Sequence, residues 1–189
     1  VQRGDGLGGV LQETRYFYTT QPGPNPPRSV LAGEVRRTDY GPSGDSKTTS
    51  TTYAYDDYGN TTEKVAHGEV TFGGVEILGD ELATSYTYEP DPESFLTSRL
   101  RRQDQHGETG DLLASEEHGH NASGDVTRVR QLVEPGRYVE RATEYDSHGN
   151  PLSLTNARKG VTTLTYDVAG NVTEAGLTCC QLRAWNYDK

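Results

Sequence analysis

The sequence predicts an all-β fold of consecutive antiparallel hairpins, on three observations. Of 189 residues, 12 are Tyr and 22 are Gly, and Thr and Val recur in short runs. A half-solvated sheet with tight turns needs that mixture. No long segment places apolar residues at the i, i+3, i+4, i+7 spacing of a helix face. One pattern, Y-D-x-x-G-N, occurs three times: Tyr55-Asp56-Asp57-Tyr58-Gly59-Asn60, Tyr145-Asp146-Ser147-His148-Gly149-Asn150 and Tyr166-Asp167-Val168-Ala169-Gly170-Asn171. A fourth copy opens at Tyr187-Asp188, and Tyr145, Tyr166 and Tyr187 are each 21 residues apart. A fixed period is the mark of a repeat architecture.

The elements follow in order. Residues 1–29 form a Gly/Pro-rich N-terminal segment with one strand, Val10 to Tyr18. It closes in the linker Gln21-Pro22-Gly23-Pro24-Asn25-Pro26-Pro27, which cannot lie inside a sheet because Pro donates no ladder hydrogen bond. Residues 30–117 hold divergent hairpins, with strands expected at Val30–Tyr40, Lys47–Tyr55, Glu69–Leu78, Leu82–Tyr88 and Phe95–Arg101. Residues 118–189 hold the clearer repeats and stop inside one. Degenerate copies of the turn are expected at Tyr40–Asp45, Gln103–Glu108 and His120–Asp125.

One unit reads physically. In Thr51-Thr52-Tyr53-Ala54-Tyr55 the period of two puts Tyr53 and Tyr55 on one face; Thr162, Leu164 and Tyr166 share another. Asp then opens a turn, because its carboxylate accepts from backbone N–H groups further on. Gly four residues after the Tyr supplies a positive φ, and the chain returns. Asn156-Ala157-Arg158-Lys159-Gly160 is a second turn feeding the next strand. One hairpin cannot bury its own face, so stacked hairpins are expected, with Tyr ladders supplying most of the buried area.

These motifs resemble the YD-repeat of the RHS (rearrangement hotspot) family. The likeness is loose over residues 40–189 and close over 143–189, where Thr155 to Thr163 matches the usual connector. The family includes bacterial polymorphic toxins, insecticidal toxin complexes and the animal teneurins. The resemblance implies a curved or spiralling sheet, part of a hollow shell that in the toxins encloses a C-terminal toxic domain. Many members carry a D-P-x-G-L autocleavage motif. The Asp91-Pro92 pair here lacks the Gly-Leu, so no self-cleavage is implied.

Charge and hydropathy exclude other classes. Lys+Arg is 18 and Asp+Glu 28, so the formal net charge is 18 − 28 = −10. That balance opposes binding to phosphate backbones or to an anionic membrane surface. Mean hydropathy is −0.81, and no apolar run approaches the roughly 20 residues of a membrane span. Val1 to Gly6 lacks the apolar run of a signal peptide. The absence of Met points to a piece of a longer chain.

Candidate sites are few. The Asp-x-x-Gly-Asn turns offer oxygens to Ca²⁺, but a calcium site needs 6–8 of them. His118 and His120, after Glu116 and Glu117, share a strand face and suit a transition metal, yet His120 stands where the repeat has Tyr. Arg3-Gly4-Asp5 matches an adhesion tripeptide in a terminus expected to be mobile. Asn60, Asn121 and Asn171 open glycosylation sequons. Cys179 and Cys180 are adjacent, with Cα spacing outside the usual disulfide range. They read as free thiols, with an inter-chain or strained disulfide as the alternative. No nucleophile elbow, phosphate loop or HExxH appears.

The expectation is a non-catalytic scaffold segment of a secreted protein with no cofactor and no metal. The residues that define it are structural: Tyr55, Asp56, Gly59, Asn60, Tyr145, Asp146, Gly149, Asn150, Tyr166, Asp167, Gly170, Asn171, Tyr187 and Asp188. Expected partners are neighbouring repeats or further copies through sheet edges, with an enclosed toxin domain and a cell-surface glycan as further candidates. The alternatives are an extracellular adhesion module, using exposed Tyr and Trp185, or a self-assembling fibre subunit.

Overall fold

The computed structural model describes residues 1–4, 10–20, 30–71, 73–77, 80–178 and 182–184. Cys179, Cys180, Trp185, Tyr187, Asp188, Asp5 and the Pro-rich linker 21–27 lie outside the described residues. Among those described there are 14 strands and no helix, so none crosses a membrane as a helix. The chain forms two compact units: Val1–Thr87 with Gln103–Leu113, and Tyr88–Arg102 with Ala114–Lys189.

In the first unit, six strands pair antiparallel in chain order: β1 (Gln2–Gly4), β2 (Val10–Thr20), β3 (Val30–Tyr40), β4 (Ser46–Tyr55), β5 (Thr61–Val70) and β6 (Leu82–Tyr88). Strand β7 is Leu100–Gly107. In the second unit, β8 (Leu112–His120), β9 (Val126–Glu134), β10 (Arg137–Tyr145), β11 (Pro151–Thr155), β12 (Val161–Tyr166), β13 (Val172–Leu177) and β14 (Leu182–Ala184) pair in the same way. Consecutive hairpins are therefore the architecture of each unit.

Local sequence accounts for the strand faces. Along β12, Thr162, Leu164 and Tyr166 are half-buried while Thr163 and Thr165 are exposed, the alternation a pleated strand imposes. Tyr53 and Tyr55 stack with centroids 6.5 Å apart, and Tyr16 and Tyr18 at 6.3 Å. Across strands, charges alternate: Glu117 of β8 lies 2.8 Å from Arg130 of β9, and Arg130 lies 3.9 Å from Glu140 of β10. Arg130 also covers the Tyr138 ring at 4.7 Å.

Three expectations differ from the structure. No strand covers Glu69–Leu78, of which Leu78 lies outside the described residues. β5 ends at Val70, and beyond it the chain reverses, with Thr71 N–H donating to Val75 O at 2.7 Å and Gly74 N–H to Thr71 O at 2.8 Å. Gly73-Gly74 interrupts the β-rich run there, and Gly74 has φ +87°. Nor is Phe95–Arg101 a strand. Asp91 and Leu96 exchange two backbone hydrogen bonds of 2.9 Å across a tight loop in which Phe95 takes φ +58° and is 91% exposed. Finally, Gln2–Gly4 is not a loose terminus but pairs with β2.

The Tyr ladders do not make a core. Val70 is the one buried apolar residue among those described; the polar residues Thr38, Thr48, Ser50, Thr84 and Ser115 are also buried, and no described side chain is fully buried. Strands that pair only edge to edge leave both faces partly wet, so the Tyr rings are half-covered by their neighbours. Cohesion rests on ladder hydrogen bonds, polar side-chain pairs such as Thr38–Thr48 at 2.9 Å, and turns.

Candidate functional site

The Y-D-x-x-G-N residues build one turn, repeated. In Asp146–Asn150, Asp146 N–H donates to Asn150 O at 2.9 Å, and Gly149 N–H to Asp146 O at 3.2 Å. The Asp146 side chain fills the loop. Its Oδ1 accepts from His148 N–H at 2.8 Å and from Asn150 N–H at 2.9 Å, and its Oδ2 accepts from the Asn150 amide at 2.9 Å. Asp56–Asn60 and Asp167–Asn171 repeat every one of these bonds. The amide of Asn150 holds the Asp146 carboxyl below the usual carboxylate range, as Asn171 does for Asp167. Both carboxylate oxygens are occupied by the loop, so the turn is complete without a cation. Asn60 and Asn171 spend their side-chain amides on it as well.

The fourth residue of each turn needs the left-handed region. Gly44, Gly59, Gly74, Gly110, Gly124, Gly149 and Gly170 have φ between +81° and +89°. This is a three-residue hairpin loop, a type I turn followed by a left-handed residue. Lys159 occupies the same place at φ +64°, because Asn156–Gly160 folds identically: Asn156 N–H to Gly160 O at 2.9 Å and Lys159 N–H to Asn156 O at 2.9 Å. The 21-residue sequence period thus contains two such turns, at alternate ends of successive strands.

At six of these turns the two end residues are complementary. Asp pairs with Asn at three turns. At Asn121–Asp125 the pair is reversed, with Asn121 Nδ2 donating to Asp125 Oδ2 at 2.9 Å. At Asn156 the partner is Gly160, where a Cβ would stand 2.9 Å from Asn156 Nδ2. At Gly41–Asp45 the missing side chain makes room for the Asp45 carboxylate. The degenerate copies at 40–45 and 120–125 are therefore true turns. The one expected at Gln103–Glu108 is not: Gln103 to Gly107 lies in β7, and the turn is Gly107–Asp111, closed by Gly107 N–H to Asp111 O at 3.0 Å. Gly107 stands first in that turn, and Gly110 takes the positive φ.

The Tyr before the turn connects it to the previous strand. Tyr166 Oη donates to Pro151 O at 2.7 Å, Tyr145 Oη to Val126 O at 2.9 Å, and Tyr55 Oη to Ala32 O at 2.9 Å. Pro151 directly follows the Asp146 turn, and Val126 the Asn121 turn. Tyr166 and Tyr145 therefore each fasten their own turn to the preceding turn on the same side of the second unit, whereas Tyr55 bonds a strand carbonyl of β3 in the first unit. Burial raises the Tyr55 and Tyr166 hydroxyls above their ordinary range, which keeps the donating proton in place.

His120 does occupy the Tyr position of the Asn121 turn, and it stacks on His118 with centroids 6.4 Å apart. The pair borders a depression of about 350 Å³ with Glu89, Arg101, Arg102 and Glu117. Burial, then the His118 charge, lowers the His120 pKa. Glu116 Oε1 lies 2.8 Å from His118 Nε2 but outside hydrogen-bond geometry. The charges compensate internally: Arg101 with Glu89 at 3.7 Å and Arg102 with Glu117 at 3.5 Å. A different group converges. Donor atoms of His67, Glu76 and Glu81 lie within 4.8 Å of one another. Sequence reasoning missed it, because the three sit on either side of a turn and share no short spacing.

Residues 145–177, which hold two of the tyrosine-linked turns and the Lys159 turn between them, match the family profile RHS Repeat. The similarity to that family rests on this stretch. Among curated proteins none matches significantly. Three solved structures are similar to the chain as a whole. The Photorhabdus luminescens Tc holotoxin pore, with a mutated TccC3, shows 16% identity over 90% of this chain and 10% of its own, with TM-score 0.41. TcdB2-TccC3 with Cdc42 shows 17% identity over 96% and 11%, TM-score 0.42. TcdB2-TccC3 shows 18% over 96% and 11%, TM-score 0.42. The chain thus spans about a tenth of the length of these solved chains. In RHS terms, the tyrosine and the turn are one device: the turn reverses the chain, and the hydroxyl ties it to the repeat before.

Proposed function

We propose that this stretch is a wall segment: a non-catalytic scaffold within a secreted, toxin-related RHS-repeat protein that encloses a cargo domain. One observation carries the reading. The polar groups of the repeat motif are consumed in building turns and in joining each turn to its predecessor, as in Tyr166 to Pro151 and Tyr145 to Val126. Such residues extend a sheet; they do not present a reactive group. A sheet assembled edge to edge also needs neighbours at its edges, which further repeats of the parent chain supply.

Limited proteolysis and cryo-electron microscopy of the full-length gene product test this. The wall reading expects closed density around an internal domain that resists protease until the repeats unfold. An open sheet or fibre, or a cargo cut as fast as the isolated domain, would sink it. Exposed Tyr16 and Tyr18, 46% and 66% accessible and stacked, favour glycan stacking as a second reading. Saturable quenching of tyrosine fluorescence by oligosaccharide, lost in Tyr18→Ala, would support that instead.

A further inference from the structure

We infer that His67, Glu76 and Glu81 form a binding site for a divalent cation of the Zn²⁺ type, which clips Glu76 and Glu81 to strand β5. The three donor atoms lie within 4.8 Å of one another, and each is placed by a separate backbone feature.

His67 is aimed by a bulge. Opposite it the β4–β5 register skips from Thr49↔Glu69 to Thr51↔Ala66, so Ser50 faces two residues, His67 and Gly68. Bulges of this kind re-aim a side chain. Gly68 takes φ +61°, and the Asp80 carboxylate fills the space where a Cβ would stand. The imidazole is then fixed from both sides: Nε2 is 2.9 Å from Thr52 Oγ1, and Nδ1 is 3.3 Å from Glu81 Oε1. Glu81 directly precedes β6, whose first pair with β5 is Leu82↔Ala66, so the register sets it opposite His67. Glu76 is held by its bridge to Val70 and by Ile77 N–H to Glu69 O at 3.0 Å.

The chemistry favours a cation. Two carboxylates converge on one imidazole in a chain of net charge −10, so at most one positive charge on the ring meets two negative ones. A divalent ion neutralises both. One nitrogen and two carboxylate oxygens are ligands that Zn²⁺ and its neighbours accept, at about 2.0–2.2 Å, with water completing a tetrahedron. Ligands on such an ion stand about 3.4 Å apart, close to the 3.3 Å already separating His67 and Glu81. Glu76 is exposed and free to close the remainder. Thr52 supplies the outer hydrogen bond that a ligating imidazole ordinarily makes through its second nitrogen.

The test is a Co²⁺ and Zn²⁺ titration of the chelator-treated 189-residue chain, followed by calorimetry and visible absorption. One equivalent is expected to bind, with the visible d–d bands of tetrahedral Co²⁺ and no thiolate charge-transfer band. His67→Ala and Glu81→Gln are each expected to weaken binding about tenfold or more. Glu76→Gln, at an exposed position outside the named strands, is expected to weaken it as well, while His118→Ala has no effect. The proposal is overturned by absence of binding to the folded chain, by affinity unchanged in Glu76→Gln and Glu81→Gln, or by a strong thiolate band placing the metal on Cys179 and Cys180.

Discussion

Asp167 and Asn171 face each other as acceptor and donor, and the other turns show which replacements that contact allows. Asp167→Asn alone sets two amide groups face to face, because the Asn oxygen is claimed by the backbone N–H groups. We expect a clear drop in the urea unfolding midpoint. Asp167→Asn with Asn171→Asp copies the Asn121–Asp125 pair and is expected to restore it; Asp167→Asn with Asn171→Gly copies Asn156–Gly160 and is expected to restore it without a titrating group. The pH dependence has a defined sign. The Asp167 pKa is depressed in the folded chain by the Asn171 amide, so its stabilisation is present above the unfolded Asp value of about 3.9 and fades as pH falls through the lower folded value. Urea midpoints measured from about pH 5 down to about pH 2 should fall less in the Asn/Gly variant than in the parent; equal slopes would refute the assignment. Backbone strain gives a second residue-scale prediction. A built Cβ on Gly149 meets nothing within 4 Å, so Gly149→Ala suffers only from its φ of +86° and should cost about 1 kcal/mol. Lys159→Gly relieves the same strain and should gain about 0.5–1 kcal/mol. Thermal melts of both decide it, and a gain from Gly149→Ala would contradict the turn geometry.

At the scale of the element, the tyrosine hydroxyl matters more than its ring. Tyr166 is only partly covered, yet its hydroxyl satisfies the Pro151 carbonyl at 2.7 Å. Tyr166→Phe keeps the ring and removes the bond, and should cost about 1 kcal/mol; Tyr58→Phe, at an exposed side chain, should cost nothing measurable. Equal effects in chemical denaturation would show that ring packing carries the repeat. These elements also show what a sequence makes legible. β3 and β6 are readable to the residue, because Val30–Tyr40 and Leu82–Tyr88 are β-rich runs bounded by strong turn signals. The β5 and β7 boundaries were not. At Glu69–Leu78 the composition predicts a strand, but Gly74 at φ +87° turns the chain there. At Phe95–Arg101 a strand is expected, but the Asp91–Leu96 hydrogen bonds close a loop in which Phe95 takes a positive φ, and β7 begins only at Leu100. The turns are legible as Y-D-x-x-G-N, but the reversed Asn121–Asp125 pair follows a complementarity that shows only once the turns are compared, and the Gly107–Asp111 turn opens on a Gly with no motif side chain. The His67 group was invisible in sequence because a bulge and a register, not a spacing, assemble it.

At the scale of the whole molecule, each unit is held by contacts between strands adjacent in sequence. Val70 alone is a buried apolar side chain among the described residues, so no shared core couples distant hairpins. Stability in such a chain is a sum of local terms and nearest-neighbour interfaces. A lesion should then stay local. Val70→Ala removes two buried methylene equivalents, about 1.5 kcal/mol, from the β4–β5 hairpin of the first unit. Native-state hydrogen exchange should quicken at Thr48, Glu69 and their ladder neighbours, and leave Thr163 and Ala175 in the β12–β13 ladder of the second unit unchanged. Were the amides of β12 and β13 to quicken by the same factor, the two units would unfold as one cooperative body, and repeat-by-repeat cohesion would be the wrong account. Local behaviour instead fits a wall. A wall of linked hairpins tolerates a weak repeat because its neighbours hold their own turns, and each added repeat strengthens the one before by supplying the tyrosine that closes it.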